Sequence, residues 1–310
     1  MLHTEALTKI YPRGVRANDA IDVVVGAGEV VGLLGHNAAG KTTLVNQVVG
    51  LVRPTSGRIW VGGAEVTDDP AVARATCSLQ PQAHVPLTGM TPRQAVQVLG
   101  QLRGGRPSDV RRRASTLFEA LDIAQWSDTS GERLSGGVRR LVAFCLAAVV
   151  PGTLVVLDEP SNDVDPVRRR GLWDQVRRLG EEGAAVLLVS HNVAEIERVI
   201  DRAVVLRRGA VVAAGTPAQL RAESGSAVQL QVSLSDGPVP VPDFPSEVAL
   251  VDGTLALSLA AEAVPEALAW VQVLMRSGVA ESFTLAPTTL EDVYVRLMSP
   301  VSHQGHGRAA

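Results

Sequence analysis

Residues 30–43 read VVGLLGHNAAGKTT, and this stretch decides the fold. A β-branched run, Val30–Leu34, is followed by a glycine-bearing loop and then by residues that can begin a helix. The loop fits the pattern GxxxxGK[ST], whose backbone N–H groups form a concave site for phosphate together with the N-terminus of the next helix. Lys9 and Lys41 are the only lysines of the chain, so the lysine inside this loop stands out. The stretch therefore predicts a phosphate-binding strand–loop–helix unit.

Each part of the loop has an expected task. Lys41 would reach the β- and γ-phosphates of a nucleotide, and the Thr42 hydroxyl would bind Mg²⁺. The alternative is a chance glycine-rich turn, and the position between a strand and a helix argues against it. The residues expected to contact the nucleotide here are Gly35, His36, Asn37, Ala38, Ala39, Gly40, Lys41, Thr42 and Thr43.

Two acidic residues follow a second apolar run, Leu154–Leu157. A buried strand that delivers adjacent carboxylates is unfavourable unless they bind something. Asp158 is expected to hold Mg²⁺, and Glu159 to act as the general base that polarises the attacking water. A solvated acidic loop is the alternative. His191 follows the apolar run Ala185–Val189 and could donate a hydrogen bond to the γ-phosphate, although a histidine at a strand end is more often structural.

Apolar runs and helical patterns alternate over the first two thirds of the chain, which argues for an α/β fold with a mostly parallel sheet. The predicted strands are Ile21–Val25, Val30–Leu34, Arg58–Val61, Leu154–Leu157, Ala185–Val189, Val204–Leu206 and Val211–Ala213. The predicted helices are Lys41–Val49, Pro166–Leu179 and Val193–Ile200, with a mainly helical region over about 85–147.

The pattern changes after Ser224, because residues 225–310 carry nine acidic and three basic side chains. Alternating apolar residues over 228–234 predict a half-buried strand. The later predicted elements are a hairpin of Val248–Val251 and Leu255–Leu259 around Asp252-Gly253, a helix Pro265–Met275, a strand Ser282–Leu285, and a final helix to Met298 with a Thr288–Glu291 capping box. We predict a small α+β module over 225–300 and a disordered tail over 301–310.

Composition excludes some classes of protein. Arginine runs at 111–113, 139–140 and 168–170 could suggest nucleic-acid binding, but the net charge is −3 and only 3% of residues are aromatic. We interpret the runs as solvated helix faces. The apolar stretch 141–157 is broken by Pro151-Gly152, so it predicts a buried helix and strand rather than a membrane span.

These elements, in this order, resemble the ATP-binding subunits of ABC transporters over about residues 1–222. Leu134-Ser135-Gly136-Gly137 resembles the family signature, which completes the nucleotide site of the opposite subunit in a head-to-tail dimer. The resemblance therefore implies nucleotide contacts from Ser135, Gly136 and Gly137, and a role near the signature for Arg139-Arg140.

The same resemblance suggests three further site residues. Tyr11 is similar to the aromatic residue that stacks on adenine, although alone it would be an ordinary packing residue. Gln82 is similar to the glutamine that senses Mg²⁺ and the attacking water, with Gln80 as its rival. Asp165, in the loop after the carboxylates, would reach across the dimer.

The resemblance implies a P-loop NTPase core with an antiparallel β subdomain and an inserted helical subdomain. It also implies ATP hydrolysis with Mg²⁺, a homodimer or pseudo-dimer, a separate transmembrane permease and a place on the cytoplasmic face of the membrane. The segment 288–294, TTLEDVY, resembles the terminal motif of daunorubicin-resistance-type exporter ATPases, which suggests export of a drug, antibiotic or lipid-like substrate. The alternatives are a non-transport ABC ATPase of translation or repair and a regulatory subunit that binds nucleotide without turnover.

Four residues depart from the family pattern. His36 stands where proline is usual, Ala38 and Asp163 stand where glycine is usual, and Val138 replaces a glutamine after the signature. A methyl group at Ala38 would strain the loop if that position requires a positive φ.

Overall fold

A computed structural model describes residues 1–83, 85–225, 227–235, 241–244, 246–251 and 254–298, with backbone only for 247–251. The chain forms two compact units, Met1–Ala214 and Gly215–Ala310. The sequence analysis placed the boundary between the two parts of the chain at residues 222–225. In the structure the helix Pro217–Glu223 instead belongs to the second unit.

The first unit contains two sheets and seven α-helices among its described residues. Its strands are β1 (Leu2–Ile10), β2 (Arg16–Val25), β3 (Val30–Leu34), β4 (Ser56–Val61), β5 (Ala64–Glu65), β6 (Cys77–Gln80), β7 (Leu154–Asp158), β8 (Ala185–Val189), β9 (Arg202–Arg207) and β10 (Ala210–Gly215). Its helices are α1 (Lys41–Val48), α2 (Pro70–Thr76), α3 (Pro92–Leu102), α4 (Pro107–Ala120), α5 (Gly136–Ala148), α6 (Pro166–Glu181) and α7 (Val193–Ile196).

The larger sheet has the strand order β10-β9-β3-β8-β7-β6. Its pairs β3–β8, β3–β9, β7–β8 and β6–β7 are all parallel. Every residue of β3, β7 and β8 is buried. This confirms the prediction from their continuous apolar runs, because strands covered on both faces have no solvent side to carry polar residues. Their carboxyl ends carry the candidate site.

The smaller sheet has the order β2-β1-β4-β5, and its pairings β1–β2, β1–β4 and β4–β5 are antiparallel. A single core cluster joins side chains of this sheet, such as Leu7 and Ile59, to α1 and to the parallel sheet, for example Leu44 and Val156. The shared core also contains Ala39 of the phosphate loop, so the loop and α1 are packed with both sheets.

Three longer helices, α3, α4 and α5, fill the region predicted to be mainly helical. The helix α3 begins as expected at Pro92, and Thr91 and Gln94 form a capping box at its start. The helix α7 was predicted to reach Ile200 but ends at Ile196, and turns then lead into β9.

The second unit has a four-stranded antiparallel sheet in the order β12-β13-β11-β14. Its elements are α8 (Pro217–Glu223), β11 (Val228–Leu234), β12 (Glu247–Val251), β13 (Thr254–Leu259), α9 (Val264–Ser277), β14 (Ala280–Pro287) and α10 (Leu290–Met298). Apolar residues of β11 and β13 pack with one face of α9 in a separate core. The predicted Asp252-Gly253 turn and the tail 301–310 lie outside the described residues.

The predicted capping box of the last helix is wrong by one residue. Thr289 and Asp292 form it: the Thr289 hydroxyl accepts from the Asp292 N–H at 3.2 Å, and the Asp292 carboxylate accepts from the Thr289 N–H at 2.8 Å. Thr288 is buried instead, and its backbone N–H donates to the Ala227 carbonyl at 3.1 Å. Among the described residues, none of the helices has the length and apolarity needed to cross a bilayer.

Candidate active site

The parallel register brings four chain segments to one edge of the large sheet. Leu33 and Asp158 both lie opposite Val189, and Gln80 lies opposite Leu157. The loops that follow β3, β6, β7 and β8 therefore leave the sheet side by side, at the edge where open α/β folds bind ligands. The loop after β3 is the phosphate loop, and the loops after β6, β7 and β8 carry Gln82, Glu159 and His191, respectively.

The phosphate loop is pressed against neighbouring backbone at both ends. Gly35 has a φ of 158°, and a Cβ there would lie 2.7 Å from the Leu206 carbonyl oxygen. Gly40 has a φ of 106°, and a Cβ there would lie 2.3 Å from the Ala17 carbonyl oxygen. Glycine is required at Gly40 for both reasons, since the left-handed backbone and the close approach each disfavour a side chain. The loop is thus held in a fixed shape before α1 begins.

Asn18 supports the loop and was not predicted. Its amide Nδ2 donates to the Gly40 carbonyl at 3.1 Å, and its Oδ1 accepts from Gln47 Nε2 at 2.8 Å. The side chain is fully buried, so these hydrogen bonds are protected from water. Asn18 comes from β2, and the local sequence there contains no motif that signals this role.

Lys41 lies buried at the start of α1. Its Nζ donates to the carbonyls of Gly35, at short range, and His36, at 3.1 Å. Burial lowers the pKa of this ammonium, while the nearby Glu159 and Asp158 carboxylates act in the opposite direction. The charge therefore lies inside the loop and beside the carboxylates, and its contact with phosphate stays a prediction.

Asp158 and Glu159 are both buried, with 6% and 5% of their surfaces exposed. Burial, and then the neighbouring Glu159, raise the pKa of Asp158 to about 6, although Lys41 and Arg140 oppose the shift. Two close carboxylates in a dry place are unfavourable without a cation. This arrangement fits a divalent metal.

Glu159 is held on both oxygens. His191 Nδ1 lies 2.8 Å from Glu159 Oε1, and the Ser190 hydroxyl donates to Oε2 at 3.3 Å. Its backbone is in the left-handed region, with a φ of 50°, and its N–H donates to the Val189 carbonyl at 2.9 Å. The His191 side chain is 61% exposed. The structure thus joins the predicted base to the predicted histidine and adds Ser190, which the sequence analysis missed.

The two candidate glutamines are separated by the structure. Gln80 is fully buried, and its Nε2 donates to the Arg140 carbonyl at 3.1 Å. Gln82 lies beyond the end of β6 with an exposed side chain. Only Gln82 can turn toward a bound nucleotide without breaking the core, so we retain it as the predicted residue.

The signature segment and the loop after Glu159 pack together within the chain. Ser135 caps α5, since its hydroxyl accepts from the Val138 N–H at 3.3 Å. A Cβ at Gly137 would lie 2.4 Å from the Asp163 carbonyl oxygen, so only glycine fits there. Gly136 also faces Asp163, with 3.8 Å between a built Cβ and the Asp163 side chain. A small-residue helix N-terminus thus faces outward beside this loop.

Asp165 and Tyr11 have local contacts. Asp165 caps α6 by accepting from the N–H groups of Val167 and Arg168 at 3.1 Å each, and it pairs with the Arg168 guanidinium at 2.7 Å. Tyr11 is half-buried, with Lys9 Nζ 5.3 Å from its ring centroid. A contact of Asp165 across a dimer and of Tyr11 with adenine stay predictions.

A metal here would need oxygen ligands from several sources. Within the described part of the chain, no group of three His, Cys, Asp or Glu side chains could hold an ion. Mg²⁺ binds through one or two carboxylates together with substrate phosphates and hydroxyls, so Asp158, Thr42 and Gln82 with phosphate oxygens form a suitable set. When bound, the ion would neutralise charge on the phosphates and on Asp158.

Comparisons with known proteins decide the family. The ABC transporter family pattern matches residues 19–162, and an AAA-domain pattern described as a putative AbiEii toxin of type IV toxin–antitoxin systems matches residues 128–197. The daunorubicin/doxorubicin resistance ATP-binding protein DrrA of Streptomyces peucetius is 35% identical over 235 residues, which cover 76% of this chain and 71% of DrrA. The chain belongs to the ATP-binding subunits of the ABC transporter family. The predicted family is therefore confirmed, and the protein is an ABC ATPase.

Other relatives of this ABC subunit extend the match. The daunorubicin resistance ATP-binding protein DrrA2 of Streptomyces coeruleorubidus is 32% identical, and the match covers 96% of this chain and 94% of DrrA2. A solved structure of an ATP-binding subunit of an ABC transporter superposes with a TM-score of 0.68 at 27% identity, over 73% of this chain and 93% of that chain. The predicted P-loop NTPase fold is confirmed by this likeness.

The strain expected at Ala38 of this ABC subunit is present, because its φ is 65°. A left-handed backbone costs a non-glycine residue roughly 1–2 kcal/mol, and glycine loses about 0.4–1 kcal/mol through the unfolded state. We therefore expect Ala38→Gly to raise the free energy of unfolding by about 0.5–1 kcal/mol. Urea denaturation of the ATP-free protein measures it. Ala39→Gly is the matched control, since Ala39 is buried with a negative φ and should lose stability. A loss of stability in Ala38→Gly as large as that in Ala39→Gly would contradict the presence of backbone strain at Ala38.

The raised pKa of Asp158 makes the stability of the ATP-free ABC subunit pH-dependent. Its carboxyl titrates near 6 in the folded state and near 3.8 in the unfolded chain, so the folded state binds more protons between these values and stability falls as the pH rises through them. Asp158→Asn should then stabilise the ATP-free protein by about 1–3 kcal/mol at pH 8 and by roughly half as much at pH 5, because pH 5 lies between the two pKa values. Denaturation midpoints at the two pH values test this. A gain of equal size at both would mean that the charge is not the cause.

Proposed function

We propose that this ABC subunit binds MgATP at the carboxyl edge of its parallel sheet and hydrolyses it with Glu159 as general base. The observation that carries the proposal is the convergence there of Lys41, Asp158, Glu159 and His191 from three separate loops. The carboxylate of Glu159 is already oriented by Ser190 and His191, which leaves it positioned to accept a proton.

In the reaction, water attacks the γ-phosphorus while the bond from that phosphorus to the bridging oxygen of ADP breaks. Glu159 accepts the proton of the water, and the imidazole of His191 can donate a hydrogen bond to the γ-phosphoryl oxygens. Lys41 and the backbone N–H groups of the phosphate loop stabilise the charge that develops on those oxygens. Gln82 is proposed to orient the attacking water.

The second half of each site is proposed to come from another subunit. Ser135, Gly136 and Gly137 form a helix N-terminus, and within the chain this end of α5 packs against Asp163 rather than against the phosphate loop. In a head-to-tail dimer this N-terminus would face the γ-phosphate held by the opposite copy. Two MgATP would then lie between two subunits, which are either identical or a related pair.

We further propose that closure of this dimer drives a separate transmembrane permease from the cytoplasmic side and that the substrate is exported. The support is the similarity to DrrA2, which extends over 96% of the chain and so includes the C-terminal unit. A lipopolysaccharide export ATP-binding protein, LptB of Acidithiobacillus ferridurans, is also 36% identical over 71% of the chain. An amphipathic drug, antibiotic or lipid-like molecule is the proposed cargo.

Uptake into membrane vesicles tests the proposal that the substrate is exported. The tagged chain is purified from its native membranes, and the membrane subunit recovered with it is reconstituted in vesicles with the ATPase on the outside. We expect doxorubicin to accumulate inside when MgATP is added, and not when the chain carries Glu159→Gln. Recovery of the chain with an importer that captures substrate from outside would contradict export.

A further inference from the structure

Arg140 does not lie on a solvated helix face, which corrects our interpretation of the arginine runs. Only 4% of the Arg140 surface is exposed. The preceding residue, Arg139, instead donates to the carbonyls of Gly131 and Glu132, in the turn before the signature. The Arg140 guanidinium turns inward from the first turns of α5. Its burial requires that its donors find acceptors inside the protein.

Those acceptors belong to the segment that carries Gln82. Nη1 of Arg140 donates to the Pro81 carbonyl at 2.9 Å, and Nη2 donates to the Gln82 carbonyl at 2.7 Å. In the reverse direction, Gln80 Nε2 donates to the Arg140 carbonyl at 3.1 Å. Three consecutive residues are thus bonded to one residue of the signature helix.

The contact also places a positive charge near the proposed metal ligand. The Arg140 guanidinium, like Lys41, opposes the rise in the pKa of the Asp158 carboxyl. Arg140 is bonded to backbone carbonyls, and among the described residues no carboxylate forms a direct ion pair with it. A displacement of α5 would therefore move both the Gln82 backbone and a charge that Asp158 senses.

We infer that Arg140 is a positioning residue that fixes the backbone of Gln82 to the N-terminal turns of the signature helix, and so links the ATP site that Gln82 serves to the signature that completes the other site of the dimer. The inference rests on the proposed role of Gln82. The planar guanidinium is suited to this task because two of its N–H groups can reach two successive carbonyls at once, whereas a lysine ammonium lacks that fixed fork.

Two variants and a matched control test the inference. Arg140→Met removes the donors and the charge, and Arg140→Lys keeps the charge without the fork. Arg113→Met and Arg113→Lys are the controls, because Arg113 is a partly buried arginine that bonds the Ala148 carbonyl at 2.9 Å far along α5 from the signature. Comparison with these controls separates a local effect from a general loss of stability.

The first measurement is hydrogen exchange of the peptide containing Gln82 in the ATP-free protein, and the second is the Mg²⁺ concentration that gives half-maximal ATPase activity. We expect both Arg140 variants to speed exchange of this peptide about tenfold and to raise the Mg²⁺ requirement several-fold, with neither change in the Arg113 variants. Exchange no faster than in the controls would overturn the inference. Faster exchange with an unaltered Mg²⁺ requirement and turnover would overturn it as well.

A separate variant distinguishes a failure of the proposed role of Gln82 from a failure of the inference about Arg140. A Gln82→Ala variant with wild-type turnover and Mg²⁺ requirement would remove that role. The exchange measurement does not involve nucleotide, so it reports on the restraint by Arg140 in either case.

Discussion

Glu159→Gln should lower ATP turnover by about 10³-fold while MgATP binding is retained, because a positioned general base contributes roughly 10²–10⁴-fold. The amide cannot accept a proton from the attacking water, but it has nearly the same shape and can keep the hydrogen bonds to Ser190 and His191. Release of phosphate at saturating MgATP, together with equilibrium binding of a fluorescent ATP analogue, measures the two properties.

The matched control for this variant is Glu181→Gln at the exposed end of α6, which should turn over at the wild-type rate. Turnover that persists in Glu159→Gln would show that another group accepts the proton. A loss of binding together with turnover would instead indicate that the carboxylate is needed to hold the site open.

Lys41→Met should weaken MgATP binding by about 10- to 100-fold, because charge-assisted hydrogen bonds contribute roughly 1.5–3 kcal/mol. The substitution removes the ammonium that lies inside the phosphate loop, and its apolar end replaces a group bonded to the carbonyls of Gly35 and His36. Turnover at subsaturating ATP should fall at least as much. Calorimetric titration with MgATP measures the change in affinity.

Arg53→Met is the control for this loss of charge, because Arg53 lies outside the loop and forms an exposed ion pair with Asp68. Its MgATP affinity should not change, since exposed pairs contribute little. Unchanged affinity in Lys41→Met would contradict the assignment of the loop as the phosphate site.

The parallel core could be predicted from the sequence because its strands are buried on both faces. The predicted bounds of β3 and β8 agree with the structure, Val30–Leu34 and Ala185–Val189. Each is a continuous apolar run, and predicted site residues follow each run within two positions. The buried strand and the predicted site residues are therefore close together in the sequence, so a local pattern is enough to predict both.

The strand β1 was missed because its alternation is broken. Its register shifts between Thr4 and Leu7, where Ala6 has a φ of 45°. The inward side chains are consequently Leu2, Thr4 and Leu7, which do not follow a period of two. Thr4 also faces the core as a polar residue, and this is possible because its hydroxyl donates to the Ile21 carbonyl at 3.0 Å.

The site was predicted only where its residues form motifs. Asn18 and Ser190 were missed, because each contacts residues distant in sequence and belongs to no motif. Arg140 was expected to have a role near the signature, but its contact with the segment of Gln82 was not predicted. The arginine runs show the limit clearly, because one arginine of a pair is buried while its neighbour bonds a turn at the surface. Only the fold determines which of the two faces the core.

The departures from the family pattern were easier to interpret, since they concern backbone shape. Ala38 and Asp163, which stand where glycine is usual, have φ values of 65° and 63°. Asp tolerates the left-handed region better than alanine does, so the strain is expected mainly at Ala38. The structure thus explains why glycine is usual at both positions.

The central claim is that each ATP site is shared between two subunits, and a mixture of two inactive variants tests it most directly. Glu159→Gln lacks the base and Ser135→Arg blocks the signature, so each alone should be inactive. In a mixed pair, one site carries both defects and the other carries neither. We expect ATP turnover of an equimolar mixture to recover to about a quarter of the wild-type rate, if subunits pair at random. Turnover of the mixture no higher than the mean of the two variants would contradict a shared site.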